Sequence, residues 1–569
     1  MNKCSRFAST GLIFFYLLPG LHGQNPNFVW AKRMGGISDE IPRSITVDNS
    51  GNVCTTGDFQ STVDFDPGPG TFNLTSAGVT DVFVQKLDAS GNLLWAKQMG
   101  GASNDYGSSI TTDAAGNIYI TGHFAGIADF DPGTGVFNLA SAGNADIFIL
   151  KLDATGNLLW VTRTGGNAED FGYSVITDVA GNSYITGHFW GTVDFDPGAG
   201  TFNLTSSGSY EIFIQKLDPS GNLLWAKQTG GTSGENAYSI TLDVSGNILT
   251  TGRFSGTTDF DPGAGTYNLT AAGLSDAFVQ KLDPSGNLLW AKQLGGTDDD
   301  YALSVTTDAG GNSYTTGYFY GTADFDPGAG ILNLTSAGNR DIYIVKLDPQ
   351  GNLEWVRQTA GVLDDFSWCI HASAAGSIYI TGFFFGTLDF DPGAGVSNLT
   401  AYGASDVFIQ KLDASGNFVW AKQLGGMDYD SGYSITTDAS GNIYTSGFFW
   451  ATADFDPGAV TFNLTSAGHM DIFIQKMGQT VGMAENDIDE NMVIYPNPAS
   501  NNLHVQINTG NYTGRALTIY NSFGEEVLAQ KFTTDSFSID VSAFPSGLYA
   551  ARIFKDHVVE KSIKIIIER

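Results

Sequence analysis

The sequence predicts an all-β chain, a seven-bladed β-propeller with four-stranded blades followed by a small C-terminal β-sandwich. Three observations predict it. A 65-residue period places Trp30, Trp95, Trp160, Trp225, Trp290, Trp355 and Trp420 at equal spacing. Each period holds short β-branched and aromatic runs separated by Gly-Asn turns, which suit tight hairpins. The array also opens with a lone strand, Phe28 to Lys32, of the kind that closes every period, and stops after Asp471 to Lys476 without one. Seven such strands match seven sets of the other three only if the first completes the last sheet.

Taking the elements in order, residues 1–23 read as a secretory signal peptide. Lys3 and Arg6 give the positive start, Gly11 to Leu18 the apolar stretch, and Leu21-His22-Gly23 the cleavage site. That stretch is too short to span a bilayer comfortably, and no transmembrane segment is expected elsewhere. Residues 24–477 are the repeat array. In the second period, Ser108 to Asp113 is strand a, Ile118 to Phe124 strand b, Asp146 to Asp153 strand c and Leu158 to Arg163 strand d. Ala114-Ala115-Gly116-Asn117 and Ala154-Thr155-Gly156-Asn157 are turns, and a long glycine-rich loop separates b from c. Phe83, Phe148, Phe213, Phe278, Tyr343, Phe408 and Phe473 sit mid-strand in c and read, with the tryptophans, as core between blades. Residues 478–491 read as a linker. Residues 492–569 alternate as strands Val493-Ile494-Tyr495, Leu503 to Ile507, Ala516 to Tyr520, Ser536 to Val541, Gly547 to Phe554 and Ser562 to Ile567.

Composition narrows the function. The 569 residues include 72 glycines, with 12% aromatic and 15% charged residues, and a formal net charge of −32. A nucleic-acid partner is not expected, because nothing would neutralise phosphates. Cys54 and Cys369 lie in different repeats, so a disulfide is not expected.

The most frequent motif is Asp-Phe-Asp-Pro-Gly, which opens at Asp64, Asp129, Asp194, Asp259, Asp324, Asp389 and Asp454. In an extended segment its two acids face one side and its Phe the other. Pro67-Gly68 reads as a type II-like turn. Two readings stay open. In one, Asp66 caps the turn and Asp64 pairs with a strand-c lysine such as Lys86. In the other, the carboxylates of Asp64 and Asp66, Asp129 and Asp131, Asp194 and Asp196, Asp259 and Asp261, Asp324 and Asp326, Asp389 and Asp391, and Asp454 and Asp456 hold Ca²⁺. The d–a links share this end of the array. They add Glu40, Asp105, Asp170, Glu235, Asp300, Asp365 and Asp430, so an acidic rim of at least 21 carboxylates is expected.

No catalytic signature is found. The histidines lack metal-ligand spacing, and there is no nucleophile elbow. His123 and His188 share a repeat position filled elsewhere by Asp, Arg, Tyr or Phe, and Phe366-Ser367-Trp368-Cys369 departs from the repeat. Trp190, Phe385 and Trp450, just before Asp-Phe-Asp loops, are candidate glycan-stacking residues, or equally blade core. A non-catalytic binding or adhesion protein, its ligand a glycan or surface protein, is expected. A polysaccharide hydrolase or lyase is the alternative, and a surface-layer or matrix component the third. The protein is expected to be a monomer, and no cofactor other than Ca²⁺ is considered.

Two resemblances sharpen this. Asp81-Val-Phe-Val-Gln-Lys86, Asp-Ala-Ser-Gly-Asn-Leu-Leu-Trp-Ala-Lys at 88–97 and Gly-Asn-Ile-Tyr-Ile-Thr-Gly at 116–122 resemble the SBBP-type bacterial β-propeller repeat. That resemblance implies a propeller and no particular activity. Tyr495-Pro496-Asn497-Pro498-Ala499-Ser500, Leu517 to Asn521 with Gly524, Ile539-Asp540-Val541, Pro545-Ser546-Gly547-Leu548-Tyr549 and a tail with Lys561 and Lys564 resemble the type A sorting domain of the type IX secretion system. This implies a Gram-negative bacterium of the Bacteroidota, export by that machinery and removal of the domain near the linker. Release, or attachment at the outer cell surface, would follow.

Overall fold

Every tight turn of the repeats follows one recipe. In Asp88-Ala89-Ser90-Gly91-Asn92, the Asp88 Oδ1 accepts the backbone N–H groups of Ser90 and Asn92 at 2.9 Å, and Oδ2 accepts the Asn92 amide at 2.9 Å. Gly91 takes φ 79°, in the left-handed region where a side chain is strained. The same lock recurs at Asp48, Asp113, Asp153 and onward to Asp438, with Ser373 as the exception. The computed structural model describes residues 25–478, 492–495, 499–507, 514–521, 526–555 and 558–567. The signal peptide at 1–23 and residues 479–491 of the linker lie outside the described residues. Among those described the chain is all-β, with antiparallel sheets and no helix.

The chain divides into two units, Asn27–Gly478 and the residues from Gln479 onward, the latter grouped with those before Asn27. In the second repeat, Asp105–Thr112, Ile118–Phe124, Asp146–Leu152 and Leu158–Thr164 pair antiparallel in the order a-b-c-d. Strand a begins three residues before the Ser108 read from sequence, since Asp105 N–H already donates to Thr80 O at 2.8 Å. The expected b–c loop is more ordered than its glycines suggest. It contains Ile127–Asp129 and Asn138–Ala140, which pair with each other. The first also pairs with Gly100 and Gly101 at the end of the preceding strand d. Backbone hydrogen bonds therefore lace one repeat to the next. The Gly-Gly pair that ends strand d follows from this approach: a Cβ on Gly101 would collide with the Ile127 carbonyl, and one on Gly100 with the Asp81 carboxyl.

The first strand, Asn27–Gly36, pairs antiparallel with the last strand of the repeats, Asp471–Gly478. The register runs from Phe28 opposite Met477 to Met34 opposite Ile472. It takes the d position of the last sheet, as the arithmetic of the sequence requires. A second series joins consecutive a strands. Ser44, Ser109, Ser174, Ser239 and Ser304 each accept, through Oγ, a backbone N–H of the next repeat at 3.2–3.3 Å. Cys369 holds the sixth position, with Sγ 3.8 Å from Ile435 O, and Ser434 accepts the N–H of Ile45 in the first repeat at 3.3 Å.

The core lies between sheets. Phe65 is fully buried, edge-on to Phe59 at 5.5 Å and tilted against Phe83 at 5.1 Å, so the motif's Phe is a plug. Burial of one such ring contributes roughly 1.5–3 kcal/mol. The periodic tryptophans join neighbouring repeats: Trp30 Nε1 donates to Ala89 O at 3.3 Å, and Trp160 Nε1 to Pro219 O at 3.0 Å. Cys54 and Cys369 are free thiols.

In the C-terminal unit, Met492–Tyr495, Asn502–Ile507 and Ser536–Asp540 form one sheet, and Glu526–Lys531, Arg515–Tyr520, Gly547–Lys555 and Val558–Ile567 another. Leu503, Val505, Leu517, Ile519, Ile539, Ile553 and Ile565 share one core. Strand Glu526–Lys531 is additional to those read from sequence. Pro496 to Pro498 and Gly524 lie outside the described residues. Tyr549 donates its hydroxyl to Pro545 O at 2.8 Å, which fixes the Pro-Ser-Gly-Leu-Tyr corner.

Candidate functional site: an aromatic cavity at the inner strands

The Asp-Phe-Asp-Pro-Gly loops are built alike. Asp64 Oδ1 accepts the N–H of Asp66 at 3.0 Å and of Phe72 at 2.8 Å, and Asp66 Oδ1 accepts the N–H of Gly68 at 2.8 Å. The other copies repeat this, for example at Asp129, Asp131, Asp324 and Asp326. Asp66 thus caps the turn. Gly68 does not adopt the positive φ of a type II turn, so the expected turn type is corrected: the carboxylate closes the turn instead. The expected pairing of Asp64 with Lys86 is corrected too. Lys86 lies near the far end of strand c, and its Nζ meets Asp48 Oδ2 at 2.9 Å beside the a–b turn. Lys281 meets Asp243 in the same way at 2.9 Å. No group of three or more His, Cys, Asp or Glu side chains suited to a metal ion occurs among the described residues. With the loop carboxylates engaged by backbone N–H groups, adding a chelator is expected to leave the melting temperature unchanged. A fall of several degrees, restored by Ca²⁺, would instead assign the loops to calcium.

The acidic rim also needs correction. Glu40, Asp105, Asp170, Glu235, Asp300, Asp365 and Asp430 are buried, not displayed. Asp105 accepts the N–H of Gly101 at 2.7 Å and of Ala125 at 3.2 Å. Its counterparts bind their own repeats likewise, as Asp430 does with Gly426 and Trp450. Each lies near a second buried acid at the start of strand c, such as Asp81 beside Asp105 and Asp471 beside Glu40. Burial pushes these carboxyls upward: Glu40 to about 9, Asp365 and Asp430 to about 8, Asp105, Glu235 and Asp300 to about 7, and Asp170 to about 6. One carboxyl oxygen each of Glu40, Asp81, Asp146, Asp276, Asp341, Asp406 and Asp471 is buried without a hydrogen-bond partner among the described residues.

Sequence reasoning missed the feature that breaks the repeat. The a and b strands line an open cavity of about 730 Å³, whose residues include Arg43, Tyr106, His123, Tyr173, Tyr238, Tyr301, Tyr318, Trp368 and Tyr433. This is within the roughly 300–1,000 Å³ of small-molecule sites. Arg43, Ser108, Tyr173, Tyr238, Leu303, Trp368 and Tyr433 occupy one repeat position; the two residues after it are constant, Ser (Cys369 in one copy) then Ile or Val, whereas the two before it vary as well. A short variable stretch ahead of a constant Ser-Ile or Ser-Val pair was the available signal. Trp368 stacks on Tyr433 at 5.3 Å with 7° between planes, Tyr301 on Tyr318 at 4.8 Å, and His123 on Phe171 at 4.0 Å. Arg43 donates to Asp58, forming an ion pair in the wall. Arg253 Nη1 donates to the Tyr301 hydroxyl at 2.7 Å, with the guanidinium 4.9 Å from that ring's centre. Burial pulls His123 down to about 3 and His188 to about 4, so both are neutral at physiological pH.

The expected stacking residues divide into two groups. Phe385 and Trp450 belong to an aromatic row: Phe383 to Phe385 at 5.7 Å, Phe385 to Tyr429 at 6.4 Å, and Tyr429 to Trp450 at 6.3 Å. Phe383 in turn lies 4.8 Å from Phe366 and 6.5 Å from Trp368, so the row continues into the cavity wall. Trp190 lies outside this row and joins the cavity wall by another, through Tyr210 to His188 at 4.5 Å and from His188 to Tyr173 at 5.4 Å. It is 46% exposed, packs on Tyr210 at 5.7 Å, and donates to Gly208 O at 3.2 Å.

Comparison with known proteins finds likenesses in both units of the chain. The beta-propeller repeat family SBBP matches residues 94–123 and 419–447, and the secretion system C-terminal sorting domain matches residues 493–568. The sorting domain assigns the protein to the type IX secretion system, which carries it to the cell surface or outside. No helix of the described residues is long and apolar enough to cross a membrane. An uncharacterised WD repeat-containing protein of Acanthamoeba polyphaga mimivirus is 25% identical over 74% of this chain and 36% of its own length. The regulatory protein FlaEY of Caulobacter vibrioides is 24% identical over 39% of this chain and 23% of its own. The chain therefore spans about a third or less of these relatives. Among solved structures, PorZ, a surface component of the type IX secretion system of Porphyromonas gingivalis, aligns at 11% identity and a TM-score of 0.24, over 92% of this chain and 75% of its own.

Proposed function

We propose that residues 27–478 form a closed ring of seven four-stranded blades, and that this ring binds a ligand without turning it over. The pairing of Asn27–Gly36 with Asp471–Gly478 and the Ser434 to Ile45 hydrogen bond support closure. In this reading residues 1–23 are the signal peptide, the source is a member of the Bacteroidota, and the exported ring is a monomeric adhesin or capture module. One observation carries the binding role: sequence identity between repeats fails at the cavity wall and the adjoining aromatic row. Architecture has no need of variation there, whereas recognition does. Stacked Tyr and Trp faces suit the C–H faces of a sugar. The absence of turnover rests on the state of the polar groups: Asp58 is committed to Arg43, and the cavity histidine is neutral and stacked.

The test is binding of the full chain to a glycan array, followed by calorimetry and a reducing-sugar assay on each hit. Binding without released sugar is expected, and Trp368→Ala should weaken it at least tenfold, about 1.4 kcal/mol. Released reducing ends would establish a hydrolase or lyase.

A further inference from the structure

Charges in the cavity wall are unequal. Arg43 is neutralised by Asp58 through Nε, and no acceptor meets its outer nitrogens among the described residues. Arg253 stands behind the lining residues Tyr238 and Tyr301, to both of which it hydrogen-bonds; it has no carboxylate within ion-pair distance among the described residues, Asp299 acting on it from farther off, and its Nε is buried without a partner. Of the seven residues at its repeat position, Asp58, His123, His188, Arg253, Tyr318, Phe383 and Phe448, only Asp58 and Arg253 carry charge, because both histidines are neutral. Behind the lining, Arg253 is thus a guanidinium without an ion-pair partner among the described residues, in a chain of formal net charge −32. Holding such a cation partly desolvated costs free energy that an incoming anion offsets.

The hydrogen bonding points the same way. Arg253 Nη1 donates to the oxygen of Tyr301, a residue that lines the cavity. The phenol oxygen is used as an acceptor, so its own proton is left to donate. Polarised by the guanidinium behind it, that O–H is a strong donor best matched by a charged acceptor. The open nitrogens of Arg43 add a planar fork of donors suited to a carboxylate. The remaining wall is aromatic: Tyr173, Tyr238, Trp368 and Tyr433.

We infer that the cavity takes a saccharide residue bearing a single carboxylate, a uronate-type sugar within an otherwise neutral chain, with the ring stacked on the aromatic wall and the carboxylate met by the Tyr301 hydroxyl and Arg43. This rests on the binding role proposed above. Polyanionic chains are disfavoured, since the acidic surface repels extended negative charge.

The probe is a tetrasaccharide with one glucuronate and its carboxyl-reduced counterpart, identical apart from the charge, titrated into the full chain by calorimetry. The acidic form should bind at least tenfold tighter, with an advantage that shrinks as salt is added. Arg253→Gln should remove the advantage, the acidic sugar losing at least tenfold more affinity than the reduced one, and Arg253→Lys should keep part of it; unchanged melting temperatures would show both variants folded. Equal affinity for the two sugars, or an unaltered preference in a folded Arg253→Gln, overturns the acidic assignment and leaves glycan binding standing. Binding of neither sugar, nor of any other glycan, overturns the proposed function and this assignment together.

Discussion

Removing residues 24–34 is expected to abolish the folded monomer, not merely lower its melting temperature. Those residues supply the outer strand of the last sheet, with registered partners from Met477 to Ile472. They also bury Trp30, Ala31 and Met34, and Trp30 lies 6.2 Å from Tyr444. Loss of two large apolar side chains costs about 3–6 kcal/mol. Six or so ladder hydrogen bonds add about 1 kcal/mol each. Together these approach the whole stability of an ordinary domain, roughly 5–15 kcal/mol. Deletion would further bare the long edge of Asp471–Gly478, whose Ile472, Phe473 and Ile474 are otherwise fully buried, and such an edge templates aggregation. Size-exclusion chromatography and a thermal melt decide it. A truncated chain that stays monomeric with an unaltered transition would show that the first strand is dispensable.

The second large effect is an unusual pH dependence: the repeat unit should be more stable in mild acid than in mild alkali. An unfolded Asp or Glu binds its proton only below about pH 4. In the folded chain Asp365 and Asp430 hold theirs up to about 8, and Glu40 up to about 9. Between those limits the folded state binds more protons than the unfolded state. Stability is therefore full below about pH 4 as far as these groups are concerned, and is lost progressively as pH rises from there until it has passed the folded values of about 6 to 9. Seven such acids acting together should shift the free energy by several kcal/mol, on the order of one per site. Melting curves from about pH 5 to pH 9 should show a steady fall. Glu40→Gln tests the cause. Its amide supplies a donor beside Asp471 while keeping an acceptor for the Gly36 N–H, now 3.0 Å from Glu40 Oε2. The variant should gain stability above about pH 8 and flatten the profile. A profile that rises with pH, or a Gln variant as sensitive as the parent, would remove the buried acids as its source.

Much of the fold was legible because the repeat multiplies each local rule. The Asp-to-Gly-Asn turns, the buried Phe of each motif and the strand shared between the chain's two ends follow from residue type, spacing and arithmetic. Three things were not legible. The short pairs such as Ile127–Asp129 with Asn138–Ala140 hide among glycines, because their pairing depends on a neighbour rather than on propensity. The acids of the d–a links were read as a surface charge, since carboxylates are rarely buried, yet backbone N–H groups of the Gly-Gly segments draw them inward. The lysines were assigned to the nearest acid in the motif, whereas strand direction carries Lys86 to the opposite end. As for the site, the sequence drew attention to Trp190, Phe385 and Trp450, while the cavity lay in positions that looked like noise between repeats.

The shared sheet also governs timing. Arg33, near the beginning of the chain, donates to Thr465 O, 432 residues later. Interior repeats can pair with material already made or already translocated, but the opening segment must wait for nearly the whole polypeptide to emerge. During that interval it is an unsatisfied ribbon, and the last sheet is complete only when residues 28–34 meet residues 472–477. Export that releases the chain progressively therefore sets the earliest moment at which the molecule can become resistant to proteases.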